Sequence, residues 1–173
     1  DRRGNTIYCS SFSKTVAPGY RIGWIAAGRF MPKVLEHKMA LTLCGPVLPQ
    51  VAFAGFLSSG GYDRHLRRMR RAFADNVDQM IRAIGRSFPE QVRVSRPAGG
   101  FVLWLELPRQ LDSRQLLDIA LGKGICFAPG DVFSASGRYA NCLRLSCGHG
   151  WNPRVENGIK TLGRIVTAAL AGR

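Results

Sequence analysis

Ser11-Phe12-Ser13-Lys14-Thr15-Val16-Ala17-Pro18-Gly19-Tyr20-Arg21-Ile22-Gly23-Trp24 is the stretch on which the fold turns. Before it, Asn5-Thr6-Ile7-Tyr8-Cys9 reads as a short buried strand that runs into a polar turn at Ser10. Ala17-Pro18-Gly19 is a breaker, and Tyr20–Ala26 reads as a second strand. Lys14 therefore lies just past one strand end, and Arg21 stands where the chain returns to the sheet. Ligands of open α/β sheets gather outside strand ends. Hydroxyls plus a guanidinium suit a phosphate dianion, because arginine can bind it through two parallel bonds while serines donate single ones. A neutral lysine amine can form a Schiff base with an aldehyde. Taken alone, Ser-x-Ser-Lys is a solvated loop beside a surface arginine; the longer string, joining two strands across a fixed gap, carries the chemical reading.

Working outward, Pro32 opens a helix to about Leu43, Gly45-Pro46 breaks it, and Pro49 opens another to about Ser58. Gly60-Gly61 ends that helix and resembles a hinge. A long helix is predicted from about Asp63 to Phe88, with Leu66, Met69, Phe73, Val77, Met80, Ile84 and Phe88 as its apolar stripe. Strands follow near Val92–Ser95 and Phe101–Leu107, split by Pro97-Ala98-Gly99-Gly100. Asp112 caps a helix ending near Gly122, with Gln115 completing a capping box. Ile125–Phe127 and Leu143–Cys147 read as short strands. Asn152-Pro153 pairs a cap with proline at the first helical position, and the last helix runs to about Leu170. The order is mixed α/β, and a chain that opens directly in a strand looks like a piece of something longer.

Composition narrows the field less than the motifs do. The chain has 173 residues, 46% of them hydrophobic and spread along its length, which suits one sizeable core or two small units rather than disorder. No stretch is apolar enough to span a membrane and no signal peptide follows the N-terminus, so a cytoplasmic location is expected. Cys9, Cys44, Cys126, Cys142 and Cys147 are odd in number and form no C-x-x-C pair, so reduced, buried thiols are expected and a metal site is not. The net charge is +14, and 20 of the 25 cationic residues are arginine. That balance fits nucleic acid or anionic ligands. Arg64, Arg67, Arg68 and Arg71 share one helix face, which reads as a solvated face with no interleaved aromatics for base stacking. His149, beside glycine and tryptophan, reads as structural, and Trp24 and Trp104 read as core.

A second cluster stands late in the chain. Asn141-Cys142-Leu143-Arg144-Leu145-Ser146 follows Pro129-Gly130-Asp131-Val132-Phe133-Ser134. Arg144 lies within an otherwise apolar strand, where a buried guanidinium must find a partner. That partner is either a ligand anion or a structural carboxylate such as Asp131.

The segment 11–24 resembles, nearly residue for residue, the cofactor-lysine signature of fold-type I pyridoxal-phosphate-dependent aminotransferases. The resemblance implies that Lys14 carries pyridoxal 5'-phosphate and is the catalytic lysine, and that Ser11, Ser13 and Arg21 hold the phosphate. The 129–146 stretch is similar to the substrate-carboxylate motif of the same family. It implies that Arg144 grips the α-carboxylate of an amino-acid ligand, with Asn141 as a second ligand-binding candidate. Pro97-Ala98-Gly99-Gly100-Phe101 matches the start of a small-domain strand in that family, so the resemblance runs from Asn5 to the final helix. The implied fold is the C-terminal portion of such an α/β transferase. Residues 1–60 would be part of the pyridoxal-binding large domain, 61–90 a connecting helix, and 91–173 a small α+β domain.

Aminotransferases usually follow Arg-Leu-Ser with an aromatic residue; here Cys147-Gly148-His149-Gly150-Trp151 follows. With Gly137-Arg138-Tyr139-Ala140, this wording resembles MocR-type regulators of the GntR superfamily. Those fuse a winged helix-turn-helix to an aminotransferase-like effector domain. The resemblance implies a sensor of pyridoxal phosphate or an amino-acid adduct, with an amino acid or amine as ligand. It also implies a homodimer, and DNA binding only through an N-terminal winged helix domain. The other reading is a catalytic aminotransferase acting on amino acids and 2-oxo acids. In either case the family's acidic partner for the pyridine nitrogen and its ring-stacking aromatic come from sequence before the lysine. DNA binding by the basic surface of this segment itself is a weaker third reading.

Overall fold

The computed structural model describes residues 1–172. The chain forms two compact units, Asp1–Arg67 and the residues from Arg68 onward. In the first, β1 (Tyr8–Ser11) pairs antiparallel with β2 (Gly23–Ala26), with Tyr8 opposite Ala26 and Ser11 opposite Gly23. The strands approach so closely that a Cβ on Gly23 would lie 2.5 Å from the Ser10 carbonyl oxygen. Helices α1 (Met31–Thr42) and α2 (Val47–Ser58) follow. Gly60, at φ 68°, turns the chain into α3 (Gly61–Ser87), so the double glycine does separate two helices. The left-handed conformation suits glycine, which carries no Cβ to clash.

β1 and β2 are exposed along their whole length, and Trp24 is 40% exposed with its ring edge-on to Tyr8. The sequence reading of a buried first strand and a core Trp24 is therefore corrected. A two-stranded ribbon does not bury both of its faces, and these side chains stand on uncovered ones. Most of the large exposed apolar residues lie in this unit, among them Leu41, Leu43 and Leu48.

The second unit is an antiparallel sheet with helices on one face. β3 (Arg93–Val94), β4 (Val102–Glu106), β5 (Ala128–Pro129) and β6 (Cys142–Ser146) lie in the order β3-β4-β6-β5. Alternation along the central pair sends Leu103, Leu105, Leu143 and Leu145 inward. They meet Val77, Met80 and Ile84 of α3, Leu116 and Ala120 of α4 (Ser113–Leu121), and Ile159, Leu162 and Val166 of α5 (Pro153–Ala171). The C-terminal part of the predicted stripe, Val77, Met80, Ile84 and Phe88, thus lines this core, whereas Leu66, Met69 and Phe73 lie outside it. Asp112 caps α4 by accepting from the Arg114 and Gln115 amides, at 2.7 and 3.3 Å. Among the described residues no return bond from the Gln115 side chain completes a box. Asn152 caps α5 by accepting from Val155.

Residues 125–127 are not a strand. Gly124 at φ 72° ends the exit turn of α4 at 122–124, the Ile125 amide bonds back to the Ala120 carbonyl, and 125–127 run on without strand pairing until Ala128. The cysteines divide: Cys142 and Cys147 are buried, whereas Cys9, Cys44 and Cys126 are exposed. Burial pushes the Cys147 thiol up to about 11, away from thiolate chemistry at neutral pH. Among the described residues no helix is long and apolar enough to cross a membrane.

Helix α5 crosses the end of α3 at backbone contact. A Cβ on Gly163 would lie 2.2 Å from the Ser87 carbonyl oxygen, whereas one on Gly158 of the same helix meets nothing within 4 Å. Gly163→Ala must displace backbone and should destabilise by about 1–3 kcal/mol, the scale of core overpacking. Gly158→Ala should be neutral or stabilise by up to ~1 kcal/mol through helix propensity. Denaturant unfolding of the two variants measures the contrast, and equal effects would mean that this crossing is not a fixed contact.

Candidate functional site

The first cluster is built at one end of the β1–β2 ribbon. The Phe12 amide bonds to the Ile22 carbonyl at 3.1 Å, closing the ribbon just beyond the Ser11–Gly23 pair. Residues Phe12–Lys14 form one 3-10 turn and Pro18–Tyr20 another. Arg21 follows at φ 50°, a left-handed conformation uncommon outside glycine. That turn carries its side chain back toward the serines.

Three expected residues come together there. Arg21 Nη1 donates to Ser13 Oγ at 3.2 Å and to the Pro18 carbonyl at 3.4 Å. Ser11 Oγ donates to Ser13 Oγ at 3.0 Å and accepts from the Ser13 amide at 3.1 Å. No carboxylate bonds to this group among the described residues. Two hydroxyls, a guanidinium and no anion form a donor set that fits a phosphate dianion. Lys14 ends the same turn, exposed, with no hydrogen bond or ion pair to another described residue.

The turn is anchored from below by Phe12. Its ring lies 4.2 Å from that of Phe53, with Tyr62 edge-on at 6.0 Å. Just beyond Lys14, His65 Nε2 lies 2.9 Å from the Thr15 carbonyl, and the Tyr62 hydroxyl lies 3.5 Å from Thr15 Oγ1. Sequence reasoning named none of these supports. Phe53, Tyr62 and His65 are distant in sequence, and nothing local marks them as neighbours of the lysine turn.

The second cluster lies on the outer face of the four-stranded sheet. Arg144 is exposed there, not buried as the apolar strand suggested. The alternation that buries Leu143 and Leu145 turns the residue between them outward. Its guanidinium carbon stands 4.9 Å above the centre of the Phe133 ring. Across the strand pair Arg144 faces Trp104, whose half-buried ring meets Phe133 at 5.5 Å and Tyr139 at 5.7 Å, both edge-on. Asp131 is not its partner. Arg114 Nε and Nη2 both donate to Asp131 Oδ2, at 2.9 and 2.6 Å, and this pairing raises the arginine above its ordinary value. Arg144 thus has no carboxylate partner among the described residues. Asn141 Nδ2 donates to the Leu107 carbonyl at 2.6 Å, a bond that ties the start of β6 to the end of β4.

His149 is exposed. Arg64, Arg67, Arg68 and Arg71 of α3 are exposed and without an ion-pair partner among the described residues, a solvated basic face.

The chain is similar to known proteins along most of its length. The chain is 40% identical over 98% of its length to an uncharacterized HTH-type transcriptional regulator of Escherichia coli, YjiR, spanning 36% of that protein. It is 32% identical over 96% of its length to aromatic-amino-acid aminotransferase 1 of Thermococcus litoralis, spanning 40% of it. Among solved structures, kynurenine aminotransferase of Pyrococcus horikoshii, determined in complex with PMP, superposes with a TM-score of 0.90 at 32% identity. That match covers 98% of this chain and 42% of the other. The chain therefore spans well under half the length of these relatives. The family model for aminotransferase class I and II matches residues 1–162. The chain belongs to the aminotransferase class I and II family, with the fold of the C-terminal portion of a fold-type I transferase.

Proposed function

We propose that the chain is the pyridoxal-phosphate-binding, aminotransferase-like effector domain of a GntR/MocR-type transcriptional regulator, which senses pyridoxal phosphate or an amino-acid adduct. The observation that carries the binding reading is the convergence of Ser11, Ser13 and Arg21 beside Lys14, which has no bonded partner among the described residues. The regulator reading is supported by 40% identity to an HTH-type regulator, against 32% to an aminotransferase over nearly the same stretch. In the whole protein, DNA would be bound by an N-terminal winged helix domain, the protein would act as a homodimer, and this output goes with a cytoplasmic location.

Residues 1–60 are assigned to the pyridoxal-binding large domain, 61–90 to a connecting helix and 91–173 to the small domain. The exposed apolar side chains of β1, β2, α1 and α2 fit a large domain that continues elsewhere in the protein.

Pyridoxal phosphate supplies an electrophilic aldehyde and a ring that withdraws electrons from the bound amine. Arg21 and the two serine hydroxyls hold the phosphate and fix its orientation. Lys14 would hold the group at its aldehyde carbon through Nζ and would be placed to carry a proton there. Arg144 binds the ligand carboxylate through its two parallel N–H donors, which sets orientation as well as affinity. Asn141 is placed here as a ligand-binding residue of the same motif; its Nδ2 donates to the Leu107 carbonyl and its Oδ1 accepts from the Cys142 thiol at 3.8 Å, so the second N–H of Nδ2 is the donor it would offer a ligand. A catalytic aminotransferase would use the same groups, and relatives of that kind match the same stretch.

Borohydride reduction of the full-length protein loaded with pyridoxal phosphate should fix the label on Lys14, mapped by peptide mass spectrometry. A label on Lys123 or Lys160 would refute the assignment. Arg144→Lys keeps the charge and loses the fork, and should weaken amino-acid binding by roughly 1.5–3 kcal/mol, the scale of a charge-assisted hydrogen bond. Cofactor affinity should stay nearly unchanged. Titrating both ligands by absorbance decides the matter, because parallel loss of both would make Arg144 a structural residue.

A further inference from the structure

Arg144 stands out on the sheet's outer face. Among the described residues its guanidinium has no hydrogen-bonded side chain and no carboxylate to hold it. The charged group stands over the face of Phe133, at 4.9 Å from the ring centre. Phe133 ends the 3-10 turn Gly130–Phe133, and that turn is fastened at several points to the start of α4. The Gly130 amide donates to Ser113 Oγ at 3.3 Å, and the Ser113 hydroxyl is itself fully buried. Arg114 holds Asp131 through two bonds to one carboxylate oxygen, while Asp131 Oδ1 is buried without a partner. The Ser134 amide closes the turn onto the Asp131 carbonyl at 3.1 Å.

The neighbouring turn is tied to the same place. The Ser113 amide donates to the Ala140 carbonyl at 2.7 Å. Tyr139, at φ 69°, brings its carbonyl so near Gly130 that a Cβ there would lie 2.3 Å away. Trp104 then wedges edge-on against both Phe133 and Tyr139. The first turn of α4 therefore fixes two loops, and those loops fix the ring beneath Arg144.

We propose that Phe133, pinned by the Arg114–Asp131 pair, is a positioning residue for Arg144 that orients its guanidinium for a ligand carboxylate. This rests on the carboxylate role given to Arg144 above. An exposed cation over an aromatic face contributes enough to change affinity by roughly two- to fivefold. Phe133 is 44% exposed and Arg114 lies at the surface, so substitutions at either leave the core intact.

The test uses the full-length protein loaded with pyridoxal phosphate, titrated by absorbance with each of the common L-amino acids. Decarboxylated counterparts, such as phenethylamine for L-phenylalanine, serve as carboxylate-free probes. Phe133→Leu and Arg114→Ala should each raise the dissociation constant of the amino acids about two- to fivefold and leave the amines unmoved. Phe133→Tyr, which keeps the ring, should restore the wild-type value. In the Arg144→Lys background, Phe133→Leu should add no further loss. A crystal structure of the Phe133→Leu variant should show the Arg144 guanidinium displaced or in several conformers. Equal weakening of amines and amino acids, or an undiminished Phe133→Leu effect without Arg144, would overturn the proposal. So would an inert Phe133→Leu where Arg144→Lys weakens binding, with the carboxylate reading still standing. An inert Arg144→Lys, or no response to any amino acid in the wild type, would instead sink the carboxylate reading and this inference with it.

Discussion

Burial of Leu143 and Leu145 against the helices of the second unit leaves Arg144 only the outer face of β6. A one-residue slip in the register of that strand would put the guanidinium in the core and two leucines in water, so the hydrophobic pattern fixes the charge's direction. The same logic works at Phe12. Its ring sinks against Phe53 and Tyr62, and the serines on either side are held up beside Arg21. In each unit an apolar anchor aims polar groups that have few partners of their own. The energy that orders the polar groups comes from packing, which tolerates little change of volume or register.

The elements that were legible in the sequence are those with a strong local signal. The stripe from Leu66 to Phe88 repeats at helical spacing along α3, and its later members Val77, Met80, Ile84 and Phe88 line the core of the second unit. Asp112 and Asn152 announced the starts of α4 and α5 because a cap bonds within its own first turn. The 11–24 string was legible because its groups lie close in sequence and meet across one ribbon end. The misreadings share a cause too. Ile125–Phe127 has strand composition, yet it follows directly on the turn at 122–124, with its first amide bonded back to Ala120, and pairs with no strand. Trp24 looked like core because composition cannot say whether a strand face is covered.

The partner of Arg144 was the hardest case. Asp131 was a reasonable guess by proximity along the chain, but the carboxylate belongs to Arg114 at the head of α4. Only the tertiary arrangement brings those two together. The result changes the meaning of Arg144: it stands on an aromatic ring, exposed, with its bonding capacity unspent. A guanidinium in that state is suited to an incoming carboxylate in a way that an ion-paired one is not. The unpaired arginines of α3 differ, because they lie side by side on a solvated helix face with no ring or loop to orient them.

On the function proposed above, Arg21 with its serines and Arg144 would bind cofactor and amino acid, and the full-length protein would pass that binding on to DNA. The most direct measurement is operator affinity of the full-length protein, loaded with pyridoxal phosphate, with and without an L-amino acid that binds it, at fixed salt. Product analysis for 2-oxo acid runs on the same samples. The account predicts that the amino acid shifts operator affinity, that Arg144→Lys blunts the shift, and that little 2-oxo acid accumulates. Sustained conversion of amino acid to 2-oxo acid with no change in DNA binding would contradict it and identify an enzyme instead.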